Sequence, residues 1–495
     1  MNPAGWQGAL PVLLVGLAGL SLAAMGPLLP HLRRVALCLG LAALLGALAA
    51  VAVLWPGAPE TLLGGGGLRP DGYALFVQAA VLLCAVFALL FGWHAGEDWA
   101  PGSTGLVLLA TSGVCLLALA VDLVAILTGL VAAMLPLLGL SAASPGLHGR
   151  EAALKSLLAT TLGAGLLGLG VALVASQTGT TLLSALPGEL EHLGWLGDRP
   201  LLVAGLALCL AGLCVFMAAV PFHMLFPDAV EGAPTPAAML LTGGLLVAGL
   251  AATGRVVLCG FGDAVLSGPG YLAWTEVLHG LGVVTILAAN ALALVQRRLK
   301  RLLACLASGQ VGLALVTLAA AGVLQSRSPE ELDRALGGLL AFLAVHSLTW
   351  VCLFVAVGSA VTEAGSDPKL GHLDGLAQRS PWLAAAVGLS LLCMSGLPLT
   401  AGFFARMYLL ETMVAAGWTA SAVAVALSVG LVLVMSLGLV GAMVLRPPRE
   451  GVTVRSSLAV SLVAGLASLV ILGLGLLPGG LMDLAVRAAG SMLGR

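Results

Sequence analysis

Apolar runs of about 20 residues recur from one end of this 495-residue chain to the other. Each is long enough to cross the hydrocarbon core of a bilayer, and a backbone buried there must satisfy its own polar groups, in helices or in a closed barrel. Runs of that length fit helices. Hydrophobic residues make up 60% of the sequence and charged ones 9%, whereas a water-soluble chain is about a quarter charged. The reading is an all-α, polytopic membrane protein. The run from about Leu10 to Leu29 is expected to be its first span rather than a signal peptide, because Met1–Gln7 carries no Lys or Arg and further spans follow at once.

Hydropathy and loop signals predict about 14 spans. They fall near 9–29, 35–55, 73–93, 103–120, 122–141, 151–175, 200–220, 236–260, 273–296, 301–324, 335–362, 381–415, 419–446 and 456–478. Two are interrupted. After the seventh comes AVPFHMLFPDAVEGAPTP (Ala219 to Pro236), and inside the twelfth lies SGLPLTAG (Ser395 to Gly402). Proline removes a donor from the helical ladder, and broken backbone at membrane depth survives only where protein or a wet cavity satisfies it. The two broken helices lie five spans apart. This predicts two five-helix repeats, about 103–260 and 273–446, the second inverted because each holds an odd number of helices, with the working site at the breaks. The expected division is 1–100 for the first three helices, 101–446 for the repeats and 447–495 for a final transmembrane helix.

Basic residues set the orientation. The odd-numbered loops carry Arg33, Arg34, Arg150, Arg297, Arg298, Lys300, Arg301, Lys369, Arg379, Arg446, Arg449 and Arg455; both termini are expected on the non-cytoplasmic side of a bacterial-type cell membrane. The net charge of −1 points to no class of partner, and no basic stripe argues for nucleic acid. The nine cysteines stand singly in apolar runs and form no CxxC or His/Cys cluster, so no metal site is expected. The 67 glycines fit close helix packing and equally fit drift in a GC-rich coding sequence.

An ionisable side chain within a span is costly and therefore a candidate for function. Lys155 lies one turn into span six, His223 at the first break, His346 in the middle of span eleven and Arg406 just after the second break. These four are the expected proton path. Lysine and histidine can exchange protons, whereas arginine stays protonated and can attract, pair or block. Asp122, Gln310, Asp228 and Glu231 are the expected supporting polar residues. Each also has a structural reading: Lys155 as a snorkelling side chain, Asp122 as a helix N-cap, Arg406 as an ion-pair partner. Glu276 and His279 share a face near the start of span nine, at the interface or in function.

VPFH at 220–223, followed by PDAVEGAPTP at 227–236, resembles the antiporter-like membrane subunits of respiratory NADH–quinone oxidoreductase (complex I) and of the related cation/proton antiporters and membrane-bound hydrogenases, the subunit N branch above all. EAALK at 151–155, KRLLA at 300–304, DGLAQRSP at 374–381 and GLPLTAGF at 396–403 support it in the same order. The resemblance implies redox-driven proton translocation along a row of buried charges. It implies other membrane subunits as partners, and NADH, FMN, iron–sulfur clusters and quinone bound elsewhere in the complex, with no cofactor on this chain. Lys155, His223 and Gln310 match the pattern, and His346 resembles a histidine of some relatives. Elsewhere the row is changed: Val131 stands for a glutamate, Phe216, Trp350 and the stretch Thr242 to Leu246 for lysines or histidine, and Arg406 for the terminal lysine. The sequence thus leaves three readings open: a working translocase subunit, a non-conducting structural paralogue in the same complex, and a subunit of an antiporter or hydrogenase assembly.

Overall fold

The computed structural model describes residues 5–494, apart from 27, 29, 58–61, 95–98, 145–146, 194–198, 263–272, 362–367, 450–452 and 455–456. The expected span ends at 29, 362 and 456, and Arg455, lie outside the described residues.

Among the described residues the regular elements are helices, save for a two-residue antiparallel pairing of Ala360–Val361 with Thr453–Val454. In order the helices are α1 (Leu10–Met25), α2 (Arg33–Leu54), α3 (Gly72–His94), α4 (Pro101–Leu119), α5 (Leu123–Ala142), α6 (Leu147–Thr178), α7 (Leu186–Leu193), α8 (Pro200–Phe216) and α9 (Phe226–Gly232). Then come α10 (Thr235–Phe261), α11 (Trp274–Val295), α12 (Leu299–Gln325), α13 (Pro329–Ser359), α14 (Pro381–Met394), α15 (Ala401–Ala415), α16 (Thr419–Leu445), α17 (Leu458–Leu476) and α18 (Pro478–Met492). Among the described residues, 12 helices are long and apolar enough to cross a membrane; α8 and α14 are apolar but shorter. The sequence reading ends with one C-terminal span. The structure adds α18, whose Ala485, Ala488 and Ala489 are buried against α3 and α13.

The spans differ in how much of them protein covers. The central apolar windows of α12 and α13 are wholly buried and that of α10 nearly so. Those of α1, α2, α6, α11 and α16 leave most of their length uncovered, with Leu17, Val53, Leu427 and Leu445 each more than 65% exposed. In a bilayer those faces meet lipid, so apolar composition on both sides of a helix is expected. Small residues let the inner helices touch. A Cβ on Gly282 of α11 would sit 2.8 Å from the carbonyl oxygen of Gly312 of α12, and one on Gly312 would sit 2.7 Å from that of Gly282. Neither position has room for a side chain, which is the packing role open to small residues in membrane helices.

Two isolated antiparallel bridges tie loops together in matching places. Asp122, in the α4–α5 turn, pairs with Leu182 beyond α6; Arg298, in the α11–α12 turn, pairs with Lys369 beyond α13.

Candidate functional site

Both helix breaks are built, and both are satisfied by protein. α8 ends at Phe216 because Ala218 turns to φ 54°. The freed carbonyls of Leu213, Cys214 and Val215 accept from the N–H groups of Met217, Ala219 and Ala218, and Val220 N–H donates to Thr285 Oγ1 at 3.0 Å. His223 lies in the one-turn segment Phe222–Leu225 that follows, half-buried.

At the second break Gly396 and Leu399 both take φ 73°. The orphan carbonyls at the end of α14 are met in turn: Leu391 O by Ser395 N, Leu392 O by Leu397 N, and Cys393 O and Met394 O by the Arg406 guanidinium. Gly402 is required here, since a Cβ would lie 1.9 Å from Cys393 O.

The candidate residues gather into two clusters. The first lies beside the start of α6. Lys155 Nζ donates to Asp228 Oδ2 at 2.6 Å and pairs with Glu151 Oε1 at 2.7 Å. Arg301 of α12 bonds the other oxygen of Asp228 and also Glu231 Oε2, the latter at 3.0 Å. Arg298 completes the Glu231 carboxylate at 2.5 Å, while Lys300 donates to the backbone oxygens of Glu231 and Ala233. Asp228 and Glu231, both on α9, therefore clamp α6 to α12. A cavity of about 220 Å³ opens among His148, Glu151, Lys155, Asp228, Arg298 and Arg301. The Lys155 side chain is 34% exposed, so this cluster lies at the surface of the chain and not at the bundle centre.

The second cluster is deep. His346 is 6% exposed. Its Nδ1 accepts from Trp350 Nε1–H at 3.1 Å, which places the ring proton on Nε2, and Nε2 donates to Thr242 O at 3.3 Å. That carbonyl lies in a π-helical stretch of α10, Leu240–Leu245, one of two in this helix. Widened turns of this kind displace carbonyls from the regular ladder. A second proton on His346 would set two donors face to face at Trp350. Arg406, 5% exposed, donates to Gln310 Oε1 at 2.6 Å, to Cys393 O at 3.1 Å, to Gly402 O at 3.0 Å and to Met394 O, with the Phe342 ring 5.6 Å from its guanidinium carbon. His346 and Arg406 share a cavity of about 10 Å³, room for a single water.

The other candidates stand apart. Among the described residues His223 belongs to neither cluster. Asp122 caps α5: its Oδ1 accepts from the N–H groups of Val124 and Ala125 at 2.8 and 3.1 Å, and its Oδ2 from Thr181 Oγ1 at 2.5 Å. His279 bonds Ser421 Oγ at 2.7 Å and stacks on Trp418. Phe216 is buried against Gly163 of α6, Val131 is half-buried, and Trp350 serves His346.

One buried pair escaped the sequence reading. Asp71, before α3, meets Arg255 of α10 at 2.5 Å, both 2% exposed, with the Arg255 guanidinium 4.9 Å over the Tyr73 ring. The signal existed, since Arg255 lies inside an apolar run where every ionisable residue is a candidate. Among the described residues no group of three or more His, Cys, Asp or Glu is placed to hold a metal ion.

The model of the family described as NADH:quinone oxidoreductase/Mrp antiporter, TM, matches residues 120–432. NADH-quinone oxidoreductase subunit N 2 of Roseiflexus castenholzii is 32% identical over 90% of this chain and 89% of its own length. Subunit N of Rhodospirillum rubrum is 33% identical over 78% of this chain and 77% of its own. A chain of respiratory complex I from Thermus thermophilus with bound aureothin superposes with a TM-score of 0.80 at 26% identity, covering 96% of this chain and 99% of that one. A chain of the Mrp complex from Dietzia sp. DQ12-45-1b gives a TM-score of 0.84 at 21% identity over 98% and 97%, a likeness of fold. The chain belongs to the NADH:quinone oxidoreductase/Mrp antiporter transmembrane family.

Proposed function

We propose that this chain is a subunit N-type membrane subunit of a respiratory NADH–quinone oxidoreductase and takes part in redox-driven proton translocation across a bacterial cell membrane. The observation that carries this is the near full-length match to subunit N relatives, about a third identical from end to end. Its partners are the other membrane subunits of that complex. NADH, FMN, the iron–sulfur clusters and quinone are handled by other subunits of the complex, and this chain contributes the bundle and its charges.

The finer architecture is part of the proposal. Fourteen spans follow if each broken helix, α8 with α9 and α14 with α15, is added to the 12 long helices. Inverted repeats over 103–260 and 273–446 are supported by three correspondences. The third helix of each is the longest, α6 with 32 residues and α13 with 31. The fourth is the broken one. The bridges Asp122↔Leu182 and Arg298↔Lys369 both join the turn after the first helix to the loop after the third. On this division 1–100 and 447–495 flank the repeats, with both termini on the non-cytoplasmic side.

For the path itself we propose Lys155, with Asp228 and Glu231, as the solvent-side group, His223 at the first break, and His346 with Gln310 and Arg406 as the deep group; Asp122 supports by capping. The second reading, a non-conducting paralogue in the same complex, is favoured by one observation: buried Phe216 and Trp350 and the neutral π stretch of α10 occupy places where the family resemblance implies titratable groups. The third reading, an antiporter or hydrogenase subunit, draws on the family model shared by NADH:quinone oxidoreductase and Mrp antiporter and on a likeness of fold.

Mild-detergent purification of the chain from its own membrane, with NADH–quinone reductase assayed on the eluate, tests the assignment. Co-purified activity with flavin and iron–sulfur signals is expected. An eluate of antiporter-like subunits without redox activity would remove it.

A further inference from the structure

We propose that Arg406 is a fixed-charge barrier that closes the second broken helix to protons and other cations. This deepens the non-conducting reading and rests on the chain sitting in an ion-translocating assembly; under it Arg406 ends the deep group as a stop and is not a member of a proton path.

The geometry points to a barrier through what surrounds the guanidinium. Arg406 is 5% exposed, and every hydrogen-bond acceptor it meets is formally neutral: one amide oxygen from Gln310 and three backbone carbonyls, of Cys393, Met394 and Gly402. Its Nε, also buried, has no acceptor among the described residues. None of its salt-bridge-length neighbours among the described residues is a carboxylate. The C-terminal dipole of α14 offsets part of the charge, as a helix end does for a cation. The remainder acts through a low-dielectric interior, where a unit charge reaches across neighbouring helices. Guanidinium does not release its proton, so the charge is permanent.

Satisfying the end of α14 does not by itself call for a charge, because a neutral amide can donate to the same carbonyls. What a cation adds is repulsion. The adjoining cavity holds about one water and faces His346 and Cys393, the titratable groups that share it, with Phe342 and Thr349 from α13. A proton arriving there meets a neutral ring already donating at Nε2 and a fixed positive charge behind it. A buried arginine that excludes cations from a narrow pore is a known physical device.

The test neutralises the charge without emptying the site. Gln310→Glu is isosteric, keeps the 2.6 Å contact with Arg406 and leaves the carbonyl bonds of the helix end in place. Inverted native membrane vesicles carrying this variant are energised, respiration is stopped, and decay of the pH gradient is followed with a fluorescent probe. Decay on the order of tenfold faster than wild type is expected, the size of one unit charge acting over ~10 Å at an effective dielectric near ~20. Thr349→Asn, which adds a neutral side chain of aspartate's size to the same cavity and leaves Arg406 in place, is expected to stay as tight as wild type. The proposal is overturned if assembled Gln310→Glu vesicles are as tight as wild type, or if Thr349→Asn leaks equally. Should the glutamate variant fail to assemble, Thr349→Asp places the same charge on the cavity from α13 and is read the same way. The gradient is also set by ATP hydrolysis, so that loss of NADH-driven energisation, which would count against the complex I assignment, is scored apart from the leak.

Discussion

Replacing Asp71 by Asn should destabilise the chain far more than removing Lys155 from the exposed edge of the first charge cluster. Asp71 and Arg255 are each 2% exposed and meet at 2.5 Å. Removing one partner of such a pair leaves an uncompensated buried charge, at a cost of about 3–5 kcal/mol. The N-cap bond from Ala74 N–H to Asp71 Oδ1, 2.9 Å long, can be kept by the asparagine oxygen, so its contribution of about 1 kcal/mol largely survives. Removing both charges, as in Asp71→Asn with Arg255→Met, should recover most of the loss, because well-packed apolar replacements of buried pairs are often neutral. What remains is the cation–π contact with Tyr73, about 1 kcal/mol. An unfolding entropy of about 2.1 cal/mol/K per residue makes one kcal/mol worth about 1 °C in a chain of this length. The single variants should therefore lower the thermal midpoint in detergent by about 3–5 °C, and the double by about 1 °C. The effect should be insensitive to salt, since the pair is buried. A single variant within 1 °C of wild type, or a double variant falling by the sum of the singles, would refute the reasoning.

Three further outcomes are expected. Lys155→Ala removes the contacts with Glu151 and Asp228, in which the lysine side chain is 34% exposed; exposed pairs contribute little, so assembly should stay intact, while protons moved per electron should fall if Lys155 belongs to the path. Gly312→Leu should prevent the α11–α12 contact and cost at least about 2 kcal/mol, whereas Gly473→Leu, with nothing within 4 Å of its Cβ position, should be tolerated; size-exclusion profiles in detergent distinguish them. His372, in the loop segment Leu370–Leu373, has its pKa lowered by burial and then by Arg449 and Lys369, and its Nδ1 accepts from Lys369 N–H. The unfolded loop then binds the proton more readily, so this stabilisation is present above the unfolded pKa of about 6.5 and is lost as pH falls below it. Relative to the intrinsic exchange rate, which itself falls with pH, protection of the 369–374 segment against hydrogen exchange should drop between pH 7 and 5 in wild type and change less in His372→Gln.

Much of the fold was legible because its signals are local. Span positions follow from hydropathy, and both breaks from Pro and Gly at Pro221, Pro227, Gly396 and Pro398. The twelfth run, 381–415, divides at the predicted place into α14 and α15. Where local signals were weak the reading fell short. α8 stops at Phe216, four residues before the predicted end, because an alanine adopts positive φ, and nothing in the residue type announces that. α18 was missed because its 15 residues include Asp483 and Arg487 and make no membrane-length run.

The site divides along the same line. The sequence by itself determined which residues are costly enough to matter, since an ionisable group in an apolar run carries its desolvation cost wherever it points. It did not determine which of them meet. A helix turns 100° per residue, so membership of a span leaves the facing direction open until neighbours pack. Only the tertiary structure brought Lys155 to Asp228, 73 positions away, and Arg406 to Gln310, 96 away. It alone joined Asp71 to Arg255 across 184 positions. Solvation is a property of each residue and can be read along the chain; charge pairing depends on the rotation and approach of separate helices, and those are fixed by packing.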